Sequence, residues 1–178
     1  MYKTYLKFLG VLIGLYLALS YFFDFWIGLC APGGFYWAFA EQHLNFVQYY
    51  REFLIGGSEL LANSFGLQTI SNSTQMRIIG HGGVNIVYSC VGFGMISLII
   101  AIGMAAPSKK IKQRLLFIAG MVVLFTILNM GRIFTIAYYS RQARLYHVDH
   151  HLWFNLLCYL IIGGITYYWM LKDLSRND

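Results

Sequence analysis

Charge is scarce in this sequence. Asp, Glu, Lys and Arg make up 11% of the 178 residues, against 58% hydrophobic and 18% aromatic. That leaves too little polar surface to cover a water-soluble globule, so the chain is expected to be an integral membrane protein. Cysteine is also sparse. Cys30, Cys90 and Cys158 are too few and too scattered for a disulfide framework or paired metal ligands, so any thiol chemistry rests on a single residue. The formal charge of +6 does not point to nucleic acid, because the basic residues sit in short clusters beside apolar runs rather than interleaved with aromatics on one face. Membrane topology explains them better.

What is abundant is apolar runs, which must become helices, since lipid offers no partner to a bare backbone group. The expected fold is an all-α integral membrane protein with about four transmembrane helices in a single membrane domain, residues 1–178. The spans fall at about 6–26, 87–106, 115–138 and 152–171, with an extracytoplasmic segment at about 27–86. The first run is longer than the ~7–15 apolar residues of a cleavable signal, and reads as a retained anchor. Bulky Leu29 before Cys30 argues against a lipoprotein cleavage site. Asp24, Trp26 and Trp37 mark a membrane–water boundary.

Between the first two spans, residues 41–66 are expected to form an amphipathic helix lying in the interface or capping the bundle. Phe46, Val47, Tyr50, Phe53, Leu54, Leu60 and Leu61 would form its apolar face, with Gln48, Glu52, Glu59 and Asn63 opposite. Ser71–Thr74 has turn composition, and Asn72-Ser73-Thr74 also fits a glycosylation acceptor, a triplet common by chance. Residues 76–79 and 84–88, around the glycine-rich break Gly80–Gly83, read as two short strands of a possible β-hairpin.

The basic residues orient the chain. With a cytoplasmic N-terminus, that side carries eight of them: Lys3, Lys7, Lys109, Lys110, Lys112, Arg114, Lys172 and Arg176. The other side carries four: Arg51, Arg77, Arg141 and Arg144. Both termini are therefore expected in the cytoplasm. In that orientation Cys90 near the start of the second span, Arg132 near the end of the third and His150-His151 at the head of the fourth fall in one leaflet.

Each group has a plain alternative. A cysteine in a membrane helix packs well as a small apolar residue. Arg132 costs ~2.5–3.5 kcal/mol at mid-depth on the lenient insertion scale, although from its position it could also snorkel to the interface. Asn129, one turn earlier, is placed to orient the guanidinium. His147, His150 and His151 could form a metal site, but no carboxylate or thiol stands at ligand spacing, so no metal is expected. Asn155 and Cys158 continue the stripe of His151, and Phe154, Leu157 and Ile161 that of His150, which favours His151 as the inward-facing member.

Cys90-Val91-Gly92, then Asn129-Met130-Gly131-Arg132, then the His150-His151 pair resembles the exosortase/archaeosortase family of membrane transpeptidases over about residues 84–172. Four spans are fewer than commonly described members have. The resemblance implies a catalytic trio of Cys90, Arg132 and His151, with His150 and Asn129 as secondary candidates and no cofactor. It implies membrane-anchored protein substrates with C-terminal sorting signals, cleaved near the motif and passed to a surface acceptor through a thioester. The implied location is the cytoplasmic (inner) membrane, with the active site at the extracytoplasmic face. The alternatives are a hydrolytic intramembrane cysteine protease, a non-enzymatic polytopic scaffold, and a metal or haem carrier. The helix at 41–66 and the Gly80–Gly83 turn are expected to border the substrate's access route, so bulkier residues at Gly82 and Gly83 should alter processing more than abundance.

Overall fold

The computed structural model describes the backbone of residues 2–31, 35–106, 109–146 and 150–174, and their side chains except at 2–5, 142–146, 150–153 and 171–174. In chain order the elements are α1 (Tyr2–Cys30), α2 (Ala38–His43), α3 (Phe46–Ser64), β1 (Thr69–Ser71), β2 (Gln75–Ile78), β3 (Gly82–Asn85), α4 (Tyr88–Val91), α5 (Phe93–Ala105), α6 (Ile111–Tyr146) and α7 (His150–Leu174). Among the described residues, three stretches are long and apolar enough to cross a membrane: Leu6–Cys30, Tyr88–Ala105 and Ile111–Arg141. The expected fourth span corresponds to α7, whose described side chains include the shorter apolar stretch Phe154–Met170. The chain is an integral membrane protein, mostly helical.

Several expected boundaries move. The first helix does not stop at Trp26 but runs through Asp24 to Cys30, which is buried. The third does not stop at Tyr138. α6 has 36 residues, about 54 Å at 1.5 Å per residue, well beyond the ~30 Å hydrocarbon core. Arg141 and Arg144 therefore lie on this helix rather than in a loop. The second span is interrupted, with α4 and α5 meeting at Gly92 in the left-handed conformation, φ 87°.

The all-α expectation is amended by a three-stranded antiparallel sheet in the order β1-β2-β3. The β2–β3 hairpin matches the expected one, with Arg77 opposite Gly83, but β3 ends at Asn85 rather than reaching Tyr88. Met76 and Ile78 are buried while Gln75 and Arg77 are exposed, the period of two that a half-buried strand requires. The Asn72 carboxamide oxygen accepts from the backbone N–H groups of Thr74 (2.9 Å) and Gln75 (2.7 Å), which forms the turn between β1 and β2.

The chain divides into two compact units. The first comprises Met1–Tyr21, Gly94–Phe125 and His151–Asp178; the second comprises Phe22–Phe93 and Thr126–His150. In the first unit, Gly103 packs closely against Ile118 and Phe117, the small-residue approach typical of membrane helices. Arg114 donates to the carbonyls of Lys109 (2.9 Å) and Met104 (2.7 Å), so it satisfies an end carbonyl of α5. Phe117 stacks on Trp169 at 4.0 Å, and the Lys109 ammonium lies 4.8 Å from the Trp169 ring centroid.

In the second unit α3 is central. The Asn45 side chain caps it by accepting from the Gln48 N–H at 3.0 Å. Its buried residues are Val47, Arg51, Leu54, Ile55, Ser58 and Ala62, whereas Phe53 and Leu60, expected on the apolar face, are exposed. The reason is contact with α6. Ser58 donates to the Met130 carbonyl at 3.0 Å, and the Met130 thioether fills the space beside Gly57. Small residues, not the largest apolar ones, mark the packed face. α3 is thus a core element of this unit and not simply a helix resting on its surface.

Candidate active site

Cys90 sits in a single helical turn that the sequence both starts and stops. Its N–H bonds the Val87 carbonyl at 2.8 Å, and two residues later Gly92 turns left-handed, a conformation that costs a residue bearing Cβ about 1–2 kcal/mol. The break deprives the carbonyls of Cys90 and Val91 of helical partners. Asn129 supplies one, its Nδ2 donating to both at 3.1 Å. The Cys-x-Gly and Asn-x-x-Arg motifs are therefore two halves of one device. Glycine opens the helix, and an asparagine on α6 satisfies the carbonyls it frees.

This corrects the expected role of Asn129, whose amide holds the Cys90 turn. Asn129 is fully buried at 0% exposure, and its Oδ1 accepts no hydrogen bond. Arg132 follows it one turn along α6. Arg132 and Cys90 are each 9% exposed. The hydrogen bonds from Asn129 put the start of the second apolar run and the late part of the third at one level.

Two further sets of contacts fix the same turn. Upstream, buried Arg51 reaches the Ile86 carbonyl at 3.4 Å, bonds the Gln48 side chain, and lays its guanidinium 4.8 Å from the Tyr88 ring centroid. Its Nε, also buried, has no hydrogen-bond partner. Downstream, Phe93 stacks on Phe23 at 4.5 Å and meets Phe46 and Tyr50 at 6.1 and 5.7 Å. Tyr50 also shares a 2.9 Å hydrogen bond with Thr126 of α6. Burial pushes the Tyr50 phenol up, partly opposed by that bond, so it stays neutral at ordinary pH. With neighbours on each side holding its position, the Cys90 turn is preorganised.

In the same unit as this turn lies a cavity of about 540 Å³ whose lining includes Cys30, Glu41, Gln48, Arg51, Glu52 and Tyr88. Of the three cysteines it is Cys30, not Cys90, that lines it, and Tyr88 precedes Cys90 by two residues in the chain. The sequence pattern counts Arg51 among the extracytoplasmic basic residues and misses its buried position. The signal was its place among Val47, Leu54 and Ser58 at three- and four-residue spacing, the spacing of one helix face.

His150 and His151 are the first two residues of α7. Their side chains, and all of His147, lie outside the described residues, so the metal-site alternative also falls there. Farther along α7, Cys158, Ile162 and Thr166 are buried, while Asn155 and Leu157 are exposed. Cys30 and Cys158 are both buried and free, and Cys30 also lines the cavity of about 540 Å³.

No curated protein matches this sequence, and no solved structure matches the fold. A family model does match: that of the transmembrane exosortases, over residues 4–171. The match takes in both broken helices, the sheet and nearly all of α7, so the chain belongs to the transmembrane exosortase family.

Proposed function

We propose that the chain is a cysteine transpeptidase of membrane-anchored proteins, with Cys90 as nucleophile, Arg132 as oxyanion stabiliser and His151 as general base, His150 being second choice for that role. The carrying observation is the Cys90 turn itself. Gly92 ends it, Asn129 holds its two carbonyls, and Arg132 follows one turn along the same helix. A packing cysteine needs none of this arrangement.

His151 accepts the thiol proton. The Cys90 thiolate adds to the scissile carbonyl carbon, and the resulting oxyanion faces the Arg132 guanidinium. As the intermediate collapses the C–N bond breaks, the imidazolium returns its proton to the leaving amine, and a thioester remains on Cys90. An acceptor amine or hydroxyl then attacks the thioester, restoring the thiol and giving the transferred product. Water in that role would give hydrolysis. The substrate is a protein with a C-terminal sorting signal, made of a short motif, a membrane helix and a basic end. Substrate and enzyme are then confined to the same bilayer. The excess of basic residues at both termini and in the linker after α5 supports cytoplasmic termini in the inner membrane and a site at the extracytoplasmic face.

The test is co-expression of wild type or Cys90→Ala with a candidate membrane-anchored substrate, reading enzyme abundance, substrate size and the product's C-terminal mass. The expected result is normal enzyme accumulation with uncleaved substrate. A transferred group on the wild-type product's C-terminus indicates transpeptidation, and a free carboxylate there indicates hydrolysis. Processing that persists in Cys90→Ala refutes the assignment and favours a scaffold.

A further inference from the structure

A second cavity in the same unit, of about 400 Å³, is unlike the one lined by Arg51 and Tyr88. It is lined by Arg77, Ile78, the turn from Gly80 to Gly83, and Arg141, with no acidic side chain among the described residues. Three features bring two cations together there. Arg77 stands opposite Gly83 on β3, which brings no side chain to cover it on that side, and opposite Ile70 on β1. The Gly83 N–H donates to the Ser140 hydroxyl at 3.0 Å, and Gly82 lies so close that a Cβ would collide with that oxygen, which seats β3 on α6 directly beside Arg141. His81 is held by stacking on Tyr138 at 4.1 Å. Among the described residues, neither the Arg77 nor the Arg141 side chain has a hydrogen bond or ion pair, and both residues are exposed.

We propose that this cavity is a phosphoryl-binding site, with Arg77 and Arg141 as paired guanidinium donors and the His81 ring beside them. Like charges gathered without a counterion are unfavourable unless an anion joins them, and the guanidinium fork matches phosphate oxygens. The preferred source is a lipid headgroup. Arg141 closes the apolar run Ile111–Arg141, and so lies where hydrocarbon gives way to headgroups. The site is independent of the catalytic assignment, because neither arginine belongs to the proposed trio.

The experiment uses the full chain purified in detergent, with phosphatidate, diacylglycerol and inorganic phosphate as probes. Native mass spectrometry reads retained lipid and a thermal-unfolding assay reads phosphate. Wild type should retain phosphatidate over diacylglycerol by at least about tenfold, the effect of one charge-assisted hydrogen bond, and Arg77→Gln/Arg141→Gln should lose that preference. Stabilisation of wild type, but not of the double variant, by inorganic phosphate supports the same site with a free ion as ligand. Phosphatidate preference without phosphate stabilisation identifies the lipid headgroup. If wild type responds to neither probe, or if its responses survive the double substitution, the proposal is wrong. Since both side chains are exposed and hold nothing among the described residues, the variants should elute as wild type in size-exclusion chromatography. The single variants provide the reading should the double one misfold.

Discussion

The two units use their cations differently. In the first, Lys109 lies over the Trp169 ring and Arg114 holds two backbone carbonyls, so these charges serve the fold. In the second, Arg77 and Arg141 hold nothing among the described residues, buried Arg51 keeps its Nε unbonded, and Asn129 keeps a buried carboxamide oxygen unbonded. The first unit also has orphaned buried groups, but they are the hydroxyls of Ser20, Ser97 and Thr166, which are weaker donors and acceptors than a guanidinium or a primary amide. Among the described residues, the unbonded buried nitrogen and carboxamide oxygen of the second unit belong to residues that contact the segment around Cys90. The proposed nucleophile and oxyanion stabiliser both lie in this unit, whereas the proposed base, His151, belongs to the first.

The sharpest way to break this comparison is to remove one arginine from each unit. Arg132→Ala should lower the processing rate by about 10²–10³, the usual loss of an oxyanion donor, with the protein still accumulating. Arg114→Ala should instead lower abundance or disturb topology while turnover per molecule holds. Single-turnover rates normalised to enzyme amount check both. A next, smaller contrast uses buried polar groups. Asn129→Leu strands two carbonyls and should cost about 1–3 kcal/mol, with kcat falling more than KM as the Cys90 turn loosens. Ser97→Ala removes a hydroxyl that bonds nothing and should leave melting temperature and turnover unchanged. The smallest contrast sets two neighbouring glycines against each other. Gly92→Ala forces a Cβ into the left-handed region and should cost about 1–2 kcal/mol, whereas Gly94→Ala meets open space and should be neutral or mildly stabilising. Denaturation midpoints measured side by side would decide it.

Much of this was legible in the sequence because lipid constrains it so strongly. The long apolar runs gave four expected spans, three of which are long and apolar enough among the described residues, and the charge-based orientation put Cys90 and Arg132 in one leaflet; Asn129, one turn before Arg132, bonds the Cys90 carbonyl. The Gly80–Gly83 break marked the hairpin. The interruption at Gly92 was hidden because apolar residues continue on both sides of it, so hydropathy reads one span where the backbone has two helices. β1 was missed because three residues carry too little periodicity. The face of α3 was misjudged for a definite reason: hydrophobic size was taken as the mark of burial, but contact with α6 runs through Gly57 and Ser58, where smallness permits approach. The same packing revises the expectation for Gly82 and Gly83. A Cβ on Gly82 meets Ser140, and one on Gly83 lies 3.0 Å from the Met76 carbonyl oxygen, so larger residues there should reduce abundance as well as processing.

The central claim, that Cys90 carries the acyl group of the substrate, is tested most directly by trapping. Membranes holding enzyme and substrate, but depleted of acceptor, would be treated with hydroxylamine, which cleaves thioesters to hydroxamates, and the released product's C-terminus would be weighed. The account predicts a C-terminal hydroxamate with wild type and none with Cys90→Ala. Continued processing by wild type without hydroxamate, or hydroxamate formed by the Cys90→Ala enzyme, would contradict it.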